Sequence, residues 1–299
     1  MITTQTNTIT KVDAWIIACR PQTLLAAVVP VIVGTSIAIY SRSFNPVAAF
    51  IALCCSILIQ IGTNFVNDLY DFLRGTDKKD RPGPRRALAS GLLTRREMNL
   101  GIYFSYGLSF TLGMFLVYIG GWFVFTIGVV SILAGIAYTA GPFPLAYNGL
   151  GDIAVFIFFG FVGTIGTYYI QAHEITPLIF WASIPVGALI TNILVVNNYR
   201  DRDDDRSNGK NTLVVIFGES FAKFQYIFFM FISYSILFVV YFTYKSSIIV
   251  FLPLLSFPIS IKLVKMIYTL HGHELNKTLE LTAKLSAIYG LLFAAGILL

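Results

Sequence analysis

The chain has 299 residues, of which 56% are hydrophobic and only 12% are charged, and its formal net charge is +6. Soluble domains carry roughly a quarter of charged residues, so this composition excludes a soluble enzyme, a disordered chain and a disulfide-stabilised scaffold. The sequence therefore predicts an integral membrane protein.

Apolar runs that approach the roughly 20 residues needed to cross a bilayer predict the spanning helices. A polar tail at 1–12, in which we expect no cleavable signal peptide, comes first. Nine apolar runs follow in chain order: 22–40, 46–66, 98–119, 121–140, 149–171, 176–198, 224–244, 246–261 and 283–299. In lipid, backbone N–H and C=O groups must be hydrogen-bonded within the protein, which only helices and closed barrels achieve. The sequence lacks the alternation of polar and apolar residues that indicates barrel strands, so all nine runs are predicted to be helices. We expect one all-α transmembrane domain over 1–299.

The distribution of Lys and Arg predicts how these helices are oriented. With the N-terminus inside, 19 of the 21 Lys and Arg residues fall in inner segments, and only Arg42 and Lys245 lie outside. The positive-inside rule therefore predicts a cytoplasmic N-terminus. The positive charge then reflects topology and contact with anionic lipid, and we expect no nucleic-acid partner. Two inner loops, 67–97 and 199–223, hold most of the polar residues, so any chemistry is expected at the cytoplasmic face.

Each of these loops begins with acids at the exit of a span. The first acidic motif reads Asn67-x-x-x-Asp71 followed by Asp77, and the second reads Asn197-x-x-x-Asp201-x-x-x-Asp205. If each helix continues for one turn beyond the membrane, residues four apart share a face, so their oxygens point the same way. Four spans separate the two motifs, which suggests an internal pseudo-symmetry of the bundle.

Carboxylates that are brought together repel, and a divalent cation removes that conflict. A few Asp and Asn oxygens with open positions suit Mg²⁺ bridging to a phosphate better than an all-protein Ca²⁺ site. Arg and Lys, which bind phosphate oxygens, flank both motifs. They are Lys78, Lys79, Arg81, Arg85 and Arg86 beside the first, and Arg200, Arg202, Arg206 and Lys210 beside the second.

Other interpretations of these charges are a solvated loop and a transporter for anions or metal ions. A solvated loop does not explain two motifs with one spacing on one side of the membrane. Transporters place ionisable residues near the bilayer midplane, where these spans have almost none. A polyprenyl diphosphate fits better, because its tail requires lipid and its head requires metal. Metal binding stabilises the departing diphosphate, and aromatic faces can shelter the resulting allylic cation.

Longer motifs surround the same residues. They are Arg20-Pro-Gln-Thr-Leu24, Asn67-Asp-Leu-Tyr-Asp71, Gly75-Thr-Asp77-Lys78, Asp80-Arg-Pro-Gly-Pro-Arg-Arg86, Tyr138-Thr-Ala-Gly-Pro-Phe-Pro-Leu-Ala-Tyr147, Gly149-Leu-Gly-Asp152, Gly166-Thr-Tyr-Tyr169, Asn197-Asn-Tyr-Arg200-Asp201 and Gly209-Lys210-Asn-Thr212. Together they resemble the UbiA-type intramembrane prenyltransferases over nearly the whole chain, most closely the branch that prenylates 1,4-dihydroxy-2-naphthoate in menaquinone synthesis. The general first motif of that family has an Asp where this chain has Gly75. The naphthoate branch resembles this chain in lacking that Asp.

The resemblance implies nine helices around a central cavity, a requirement for Mg²⁺, and polyprenyl diphosphate and 1,4-dihydroxy-2-naphthoate as substrates. The polyprenyl group would replace the carboxylate of the ring, which is itself the nucleophile, so no Ser, Cys or His nucleophile is needed. A bacterial cell membrane is the expected location, and no obligate protein partner is predicted. Related enzymes that act on 4-hydroxybenzoate or homogentisate remain an alternative.

Carried over residue by residue, the resemblance implies two metal sites. Asn67, Asp71 and Asp77 would hold one Mg²⁺ and Asp201 with Asp205 the other, and whether Asp68 or Asp77 completes the first site stays open. The remaining candidates are expected to contact substrate. Those for the diphosphate are Lys78, Arg81 and Lys210, with Arg86 and Arg200 as further candidates. Asn67 and Asn197 are also expected to contact substrate, and those for the cavity or the aromatic ring are Tyr138 and Asp152.

Overall fold

The computed structural model describes residues 9–76 and 83–299, and the regular structure in these ranges is helical. Eight of the described helices are long and apolar enough to cross a membrane, so the chain is a multi-pass membrane protein. They are Pro21–Tyr40, Pro46–Leu73, Arg95–Ala137, Gly151–Ala172, Pro177–Arg200, Glu219–Tyr244, Ile248–Thr269 and Gly272–Leu298.

The longest of these elements, Arg95–Ala137, contains two of the predicted spans. Its 43 residues would measure about 65 Å as one straight helix, roughly twice the thickness of the bilayer core. Gly121 interrupts it with φ 70° and ψ −162°, and the rings of Phe110 and Phe125 lie only 6.4 Å apart. The element therefore folds back at Gly121 as a helical hairpin. With its two halves counted separately, the eight apolar helices of the described residues come close to the nine spans that the hydropathy predicts.

The helix Pro46–Leu73 extends seven residues beyond the predicted end of its span at 66. Its start is fixed by Asn45, whose side chain accepts the N–H of Ala48 at 3.0 Å, and by Pro46 at the first helical position. The extension places Asn67 and Asp71 one turn apart on one helix face, as the spacing of the first motif predicts.

The sequence pattern missed several helical segments. The last two spans are longer than predicted, because their inner ends carry Lys and other polar residues that lower the hydropathy of a window. A short helix, Lys11–Cys19, precedes the first span and begins with a capping box between Thr10 and Asp13. Two more short helices, Arg202–Ser207 and Leu213–Phe217, lie in the second polar loop.

Buried side chains of the described residues form three clusters, of which the two largest organise the bundle. The larger one joins Pro21–Tyr40 and Pro177–Arg200 to the last three spans, with Tyr226, Tyr289 and Phe293 at its centre. The smaller one joins Lys11–Cys19, Pro46–Leu73 and the hairpin, and includes an edge-to-face pair of Trp15 and Phe65 whose centroids are 5.4 Å apart. The segment Phe156–Ile165 is a wide π-helix that packs on Pro177–Arg200 where Gly160 meets Gly187.

Candidate active site

The two acidic motifs meet at one small pocket of about 30 Å³. The first motif reaches it from the end of Pro46–Leu73, and the second from the end of Pro177–Arg200 and the short helix that follows. We call it the acidic pocket, and its lining residues are Asp71, Thr76, Arg86, Asn197, Asp201, Asp204, Asp205 and Lys210. Side chains 130 positions apart in sequence therefore face the same small volume, which is the arrangement that the paired motifs predict.

Asp71 is held at the wall of this pocket by two contacts. The hydroxyl of Tyr147 donates to Asp71 Oδ1 at 2.8 Å, and Arg86 Nη2 lies 3.5 Å from Oδ2. Burial, and then the negative charge of Asp71, raise the pKa of Tyr147, so the phenol keeps its proton and stays a donor. Asp71 is only 6% exposed, and its Oδ2 has the longer of the two contacts.

Arg200 holds the second motif from inside the protein. Its side chain is fully buried, and it donates from Nε to Asp201 Oδ1 at 2.7 Å and from Nη2 to Asp201 Oδ2 at 2.8 Å. It also donates to Asn197 Oδ1 and, on the last helix, to Asn276 Oδ1, both at 2.8 Å. The predicted role of Arg200 was to bind substrate, whereas this geometry directs its donors to the oxygens of the protein itself.

Lys210 and Asp205 form the polar centre of the acidic pocket. Lys210 Nζ lies 3.3 Å from Asp205 Oδ1, while Asp205 Oδ2 is buried with no hydrogen-bond partner among the described residues. Burial raises the pKa of Asp205 to about 6, Lys210 opposes that shift, and Asp201 adds to it. Burial lowers the pKa of Lys210, but the surrounding carboxylates outweigh that effect and raise it overall. The pocket thus concentrates negative charge that a cation would stabilise.

Asp68 faces away from the acidic pocket. It is 1% exposed, and its Oδ2 accepts the backbone N–H of Ala87 at 3.1 Å, so it holds the loop that follows the first motif. It lines neither the acidic pocket nor the larger cavity described below. Three other predicted residues, Asp77, Lys78 and Arg81, lie outside the described residues.

The donor set of the pocket suits magnesium. Within 9–76 and 83–299, no group of three or more His, Cys, Asp and Glu side chains is gathered closely enough to hold a metal ion by itself. Mg²⁺ is usually bound by one or two carboxylates together with waters and substrate phosphates, so it does not need such a group. The buried, unpartnered Asp205 Oδ2 and the nearby oxygens of Asp71 and Asp201 fit that mode of binding.

A larger cavity of about 740 Å³ opens from the acidic pocket into the helices, and Asp71, Arg86, Asn197 and Lys210 line both. We call it the central cavity. Most of its wall is apolar, with side chains from the first five spans, including the two arms of the hairpin, and from Pro177–Arg200. Its size falls within the usual range of about 300–1,000 Å³ for ligand sites.

Six of the predicted substrate contacts lie in the wall of the central cavity: Asn67, Arg86, Tyr138, Asn197, Arg200 and Lys210. Tyr138 lines it, as does Asn67, whose Oδ1 accepts the hydroxyl of Thr139 at 2.8 Å. Asp152 does not line it: this side chain is 4% exposed, and its Oδ1 has no hydrogen-bond partner among the described residues. The structure therefore brings Asn67 and Tyr138 to the cavity and leaves Asp152 behind its wall.

The sequence interpretation missed a polar strip in the cavity wall. Asn64 Nδ2 donates to Thr23 Oγ1 and to the Cys19 carbonyl, both at 2.9 Å, and Gln60 Nε2 lies 3.3 Å from Asn64 Oδ1. Gln60 and Asn64 continue the helix face of Asn67 and Asp71 toward the membrane interior. That spacing of three and four residues was the available signal, because it marks one face of a helix.

Comparisons with known proteins agree with this architecture. The sequence pattern described as the UbiA prenyltransferase family matches residues 27–288. The 1,4-dihydroxy-2-naphthoate octaprenyltransferase of Escherichia coli (strain K12) is 40% identical over 223 residues, which cover 72% of each chain. The protein of the same name from Haemophilus influenzae is 37% identical over 216 residues, which cover 70% of each chain.

A solved structure of a UbiA homolog from Archaeoglobus fulgidus, bound to DMAPP and Mg²⁺, is similar to this chain with a TM-score of 0.66. The match covers 95% of this chain and 98% of that one at 17% sequence identity. At this level of identity, the similarity shows that the two chains share a fold.

Proposed function

The chain belongs to the UbiA prenyltransferase family, and from this premise we propose that it transfers a polyprenyl group from polyprenyl diphosphate to 1,4-dihydroxy-2-naphthoate. Diphosphate and CO₂ are lost, and the product is demethylmenaquinol, the hydroquinone form of demethylmenaquinone. The observation that carries this proposal is the meeting of both acidic motifs at the mouth of an apolar cavity. The names of the two relatives, which are 40% and 37% identical, support the naphthoate as acceptor.

The two spaces of the site match the two parts of a polyprenyl diphosphate. The apolar wall of the central cavity, with Val31, Phe110 and Met114 among its side chains, suits an isoprenoid tail. The acidic pocket, with the ammonium of Lys210 and the guanidinium of Arg86, suits a diphosphate that arrives with its metal. An enzyme whose substrates are all water-soluble would need neither an apolar cavity wall nor a cavity within membrane-spanning helices.

We propose that Asp71, together with Asp77, holds one Mg²⁺ and that Asp201 and Asp205 hold the other. When bound, Mg²⁺ neutralises the diphosphate and stabilises it as a leaving group. Asn67 and Asn197, at the cavity end of the two motifs, lie where they can orient the substrate beside these carboxylates. We assign Asp68 to holding the loop at Ala87 and not to the metal, because its Oδ2 accepts that backbone N–H and the residue does not line the acidic pocket.

The basic residues bind the departing diphosphate in this proposal. Lys210 and Arg86 contribute from the described part of the site, and Lys78 and Arg81 are proposed to act with them. The ring carbon that bears the carboxylate forms a bond to the first prenyl carbon as the carbon–oxygen bond to diphosphate breaks. The bond to the carboxylate then breaks, and its electrons restore the aromatic ring as CO₂ leaves. Tyr138 lies in the cavity wall, where it can contact the ring.

The charge distribution supports a membrane orientation for this reaction. With 19 of the 21 Lys and Arg residues in the inner segments, we propose that the acidic pocket lies at the cytoplasmic side of a bacterial inner membrane. That side supplies both Mg²⁺ and a water-soluble aromatic acceptor, while the bilayer supplies the polyprenyl chain.

A product assay with a panel of acceptors tests the function. Purified protein in detergent is incubated with Mg²⁺, farnesyl diphosphate and one acceptor at a time: 1,4-dihydroxy-2-naphthoate, 4-hydroxybenzoate or homogentisate. By mass spectrometry we expect a prenylated, decarboxylated naphthohydroquinone, with its air-oxidised quinone, from the first acceptor and little product from the others. If product forms only from 4-hydroxybenzoate or homogentisate, the proposed acceptor is wrong. If none of the three acceptors is prenylated, the proposed activity is refuted.

A further inference from the structure

Tyr147 lies outside both acidic motifs, yet it contacts Asp71 of the first motif and the loop that follows the second. Its hydroxyl donates to Asp71 Oδ1 at 2.8 Å and lies 3.0 Å from Thr76 Oγ1, beside the first motif. Its backbone carbonyl accepts the N–H of Asn211 at 3.1 Å, and Lys210 Nζ is 5.8 Å from the centroid of its ring. One residue therefore joins the end of the first-motif helix to the loop that carries Lys210.

The ring of Tyr147 is also held in place. It is 7% exposed, and the guanidinium of Arg74 lies over it, 4.6 Å from the centroid. Arg74 Nη2 in turn donates to the carbonyl of Gly141 at 2.9 Å, which ties it to the loop before Tyr147. Because the ring has so little freedom, the direction of its O–H bond toward Asp71 is defined by the packing and not by the carboxylate alone.

The contact matters because Asp71 has a competing partner. Arg86 Nη2 lies 3.5 Å from Asp71 Oδ2, which is long for a charged hydrogen bond. A short bond from Tyr147 to the other oxygen fixes the carboxylate in an orientation in which Arg86 is kept at that distance. Without the phenol, the carboxylate would be free to rotate toward the guanidinium and to pair with it more closely.

We propose that Tyr147 is a positioning residue that orients Asp71 toward the acidic pocket and couples it to the Lys210 loop. The inference rests on the proposed function, since the orientation of Asp71 has a consequence for catalysis only if Asp71 holds a divalent cation. Groups that orient a metal ligand in this way typically contribute about 10- to 100-fold to metal affinity or activity.

The test compares Tyr147→Phe with Tyr226→Phe. Tyr226 is a matched control, because it is also a buried tyrosine with a hydrogen-bonded hydroxyl. Its partner is Thr282 Oγ1 at 2.7 Å, in the core away from the acidic pocket. Mn²⁺ binding to each purified full-length protein, without substrate, is measured by electron paramagnetic resonance. We expect Y147F to weaken Mn²⁺ binding by about 10-fold or more, and Y226F to leave it unchanged.

Two further measurements separate positioning from a general structural effect. Both variants lose one buried hydroxyl, so their thermal midpoints should fall by similar amounts, and Y226F should keep its activity. In Y147F, the Mg²⁺ concentration for half-maximal activity should rise by the same factor as the Mn²⁺ dissociation constant, while turnover at saturating Mg²⁺ falls less. In the background of Asp71→Asn, the Tyr147→Phe change should have no additional effect on Mn²⁺ binding.

Wild-type Mn²⁺ affinity in Y147F, or equal weakening in Y226F, would overturn the inference. So would a full additional effect of Y147F in the Asp71→Asn background. If wild-type protein binds Mn²⁺ but prenylates no naphthoate, the proposed function fails while the comparison of variants still decides the role of Tyr147. If wild-type protein binds no Mn²⁺ without diphosphate, the comparison rests on the Mg²⁺ concentration for half-maximal activity, and an unchanged value in Y147F overturns the inference. If wild-type protein also forms no prenylated product, both proposals are overturned.

Discussion

Replacing Arg200 with Met would decide whether this residue holds the second acidic motif or binds substrate. Its buried guanidinium makes two bonds to Asp201, of 2.7 and 2.8 Å, and one each to Asn197 and Asn276. Met has a comparable length but neither charge nor donors, and it takes the bidentate cation away from a carboxylate that is only 5% exposed. Removing one partner of a buried ion pair costs about 3–5 kcal/mol. We expect R200M to lower the free energy of unfolding by that amount.

The assay is unfolding by SDS in mixed micelles, followed by circular dichroism, with Asp201→Asn and the double variant measured alongside. Because the double variant leaves no uncompensated carboxylate, it should be more stable than R200M alone, with a coupling energy of about 1–3 kcal/mol. Wild-type stability in R200M, combined with a raised KM for the prenyl diphosphate, would refute this reasoning. Arg200 would then contact the substrate, as the sequence alone suggests.

Three other changes test separate parts of the structure. Asp71→Ala should abolish product formation while the purified protein remains monodisperse in size-exclusion chromatography. Excess chelator should abolish product formation by wild type until Mg²⁺ is restored. Full activity in either case would contradict the metal sites. Because the pKa of Asp205 is raised to about 6, its ionised fraction should fall about fourfold between pH 7.5 and pH 5.5. The Mg²⁺ concentration for half-maximal activity should rise by about the same factor. A pH-independent Mg²⁺ requirement would show that Asp205 is not a ligand. Gly121→Ala should lower the free energy of unfolding by about 1–3 kcal/mol in the same SDS titration, because φ is +70° at this turn of the hairpin. Gly107→Ala, at an open helical position, is the control. Equal stability of the two variants would contradict a conformational requirement for glycine at 121.

Helix positions were predictable to the extent that they follow from local composition. Most of the apolar runs are long enough to cross the bilayer whatever their neighbours do, so the spans appear close to where hydropathy places them. The turn of the hairpin at Gly121 falls at the predicted boundary between 98–119 and 121–140. The ends were less predictable, since Pro46–Leu73 and Ile248–Thr269 continue into polar sequence that a hydropathy window excludes.

The short helix Lys11–Cys19 shows why other elements were missed. It is too short to span a membrane, and its stability comes from contacts with residues far away in sequence. Trp15 packs on Phe65, and Lys11 pairs with Glu97 at 2.8 Å. A capping box between Thr10 and Asp13 was visible in the sequence, but a cap alone does not stabilise nine residues.

The candidate site was predictable in its chemistry and less so in its contacts. The spacing from Asn67 to Asp71 and from Asn197 to Asp201 identifies the helix faces, and the helical exits do bring both to the acidic pocket. The partners of each group were not visible: Arg200 turns inward to Asp201, Asp68 turns to the backbone at Ala87, and Tyr147 supplies a donor to Asp71.

The sequence by itself determined that this chain resides in a bilayer, where its spans lie, and which faces carry acids, because burial in lipid and helical periodicity are properties of each segment alone. Only the tertiary structure decided which charges meet which. Asp71 and Asp201 are 130 residues apart in sequence, and the neighbours of each carboxylate depend on how whole helices pack. Electrostatic energy changes strongly over a few ångströms. A change of one rotamer or one helix turn therefore decides whether a charged group binds a ligand or pairs with another group of the protein.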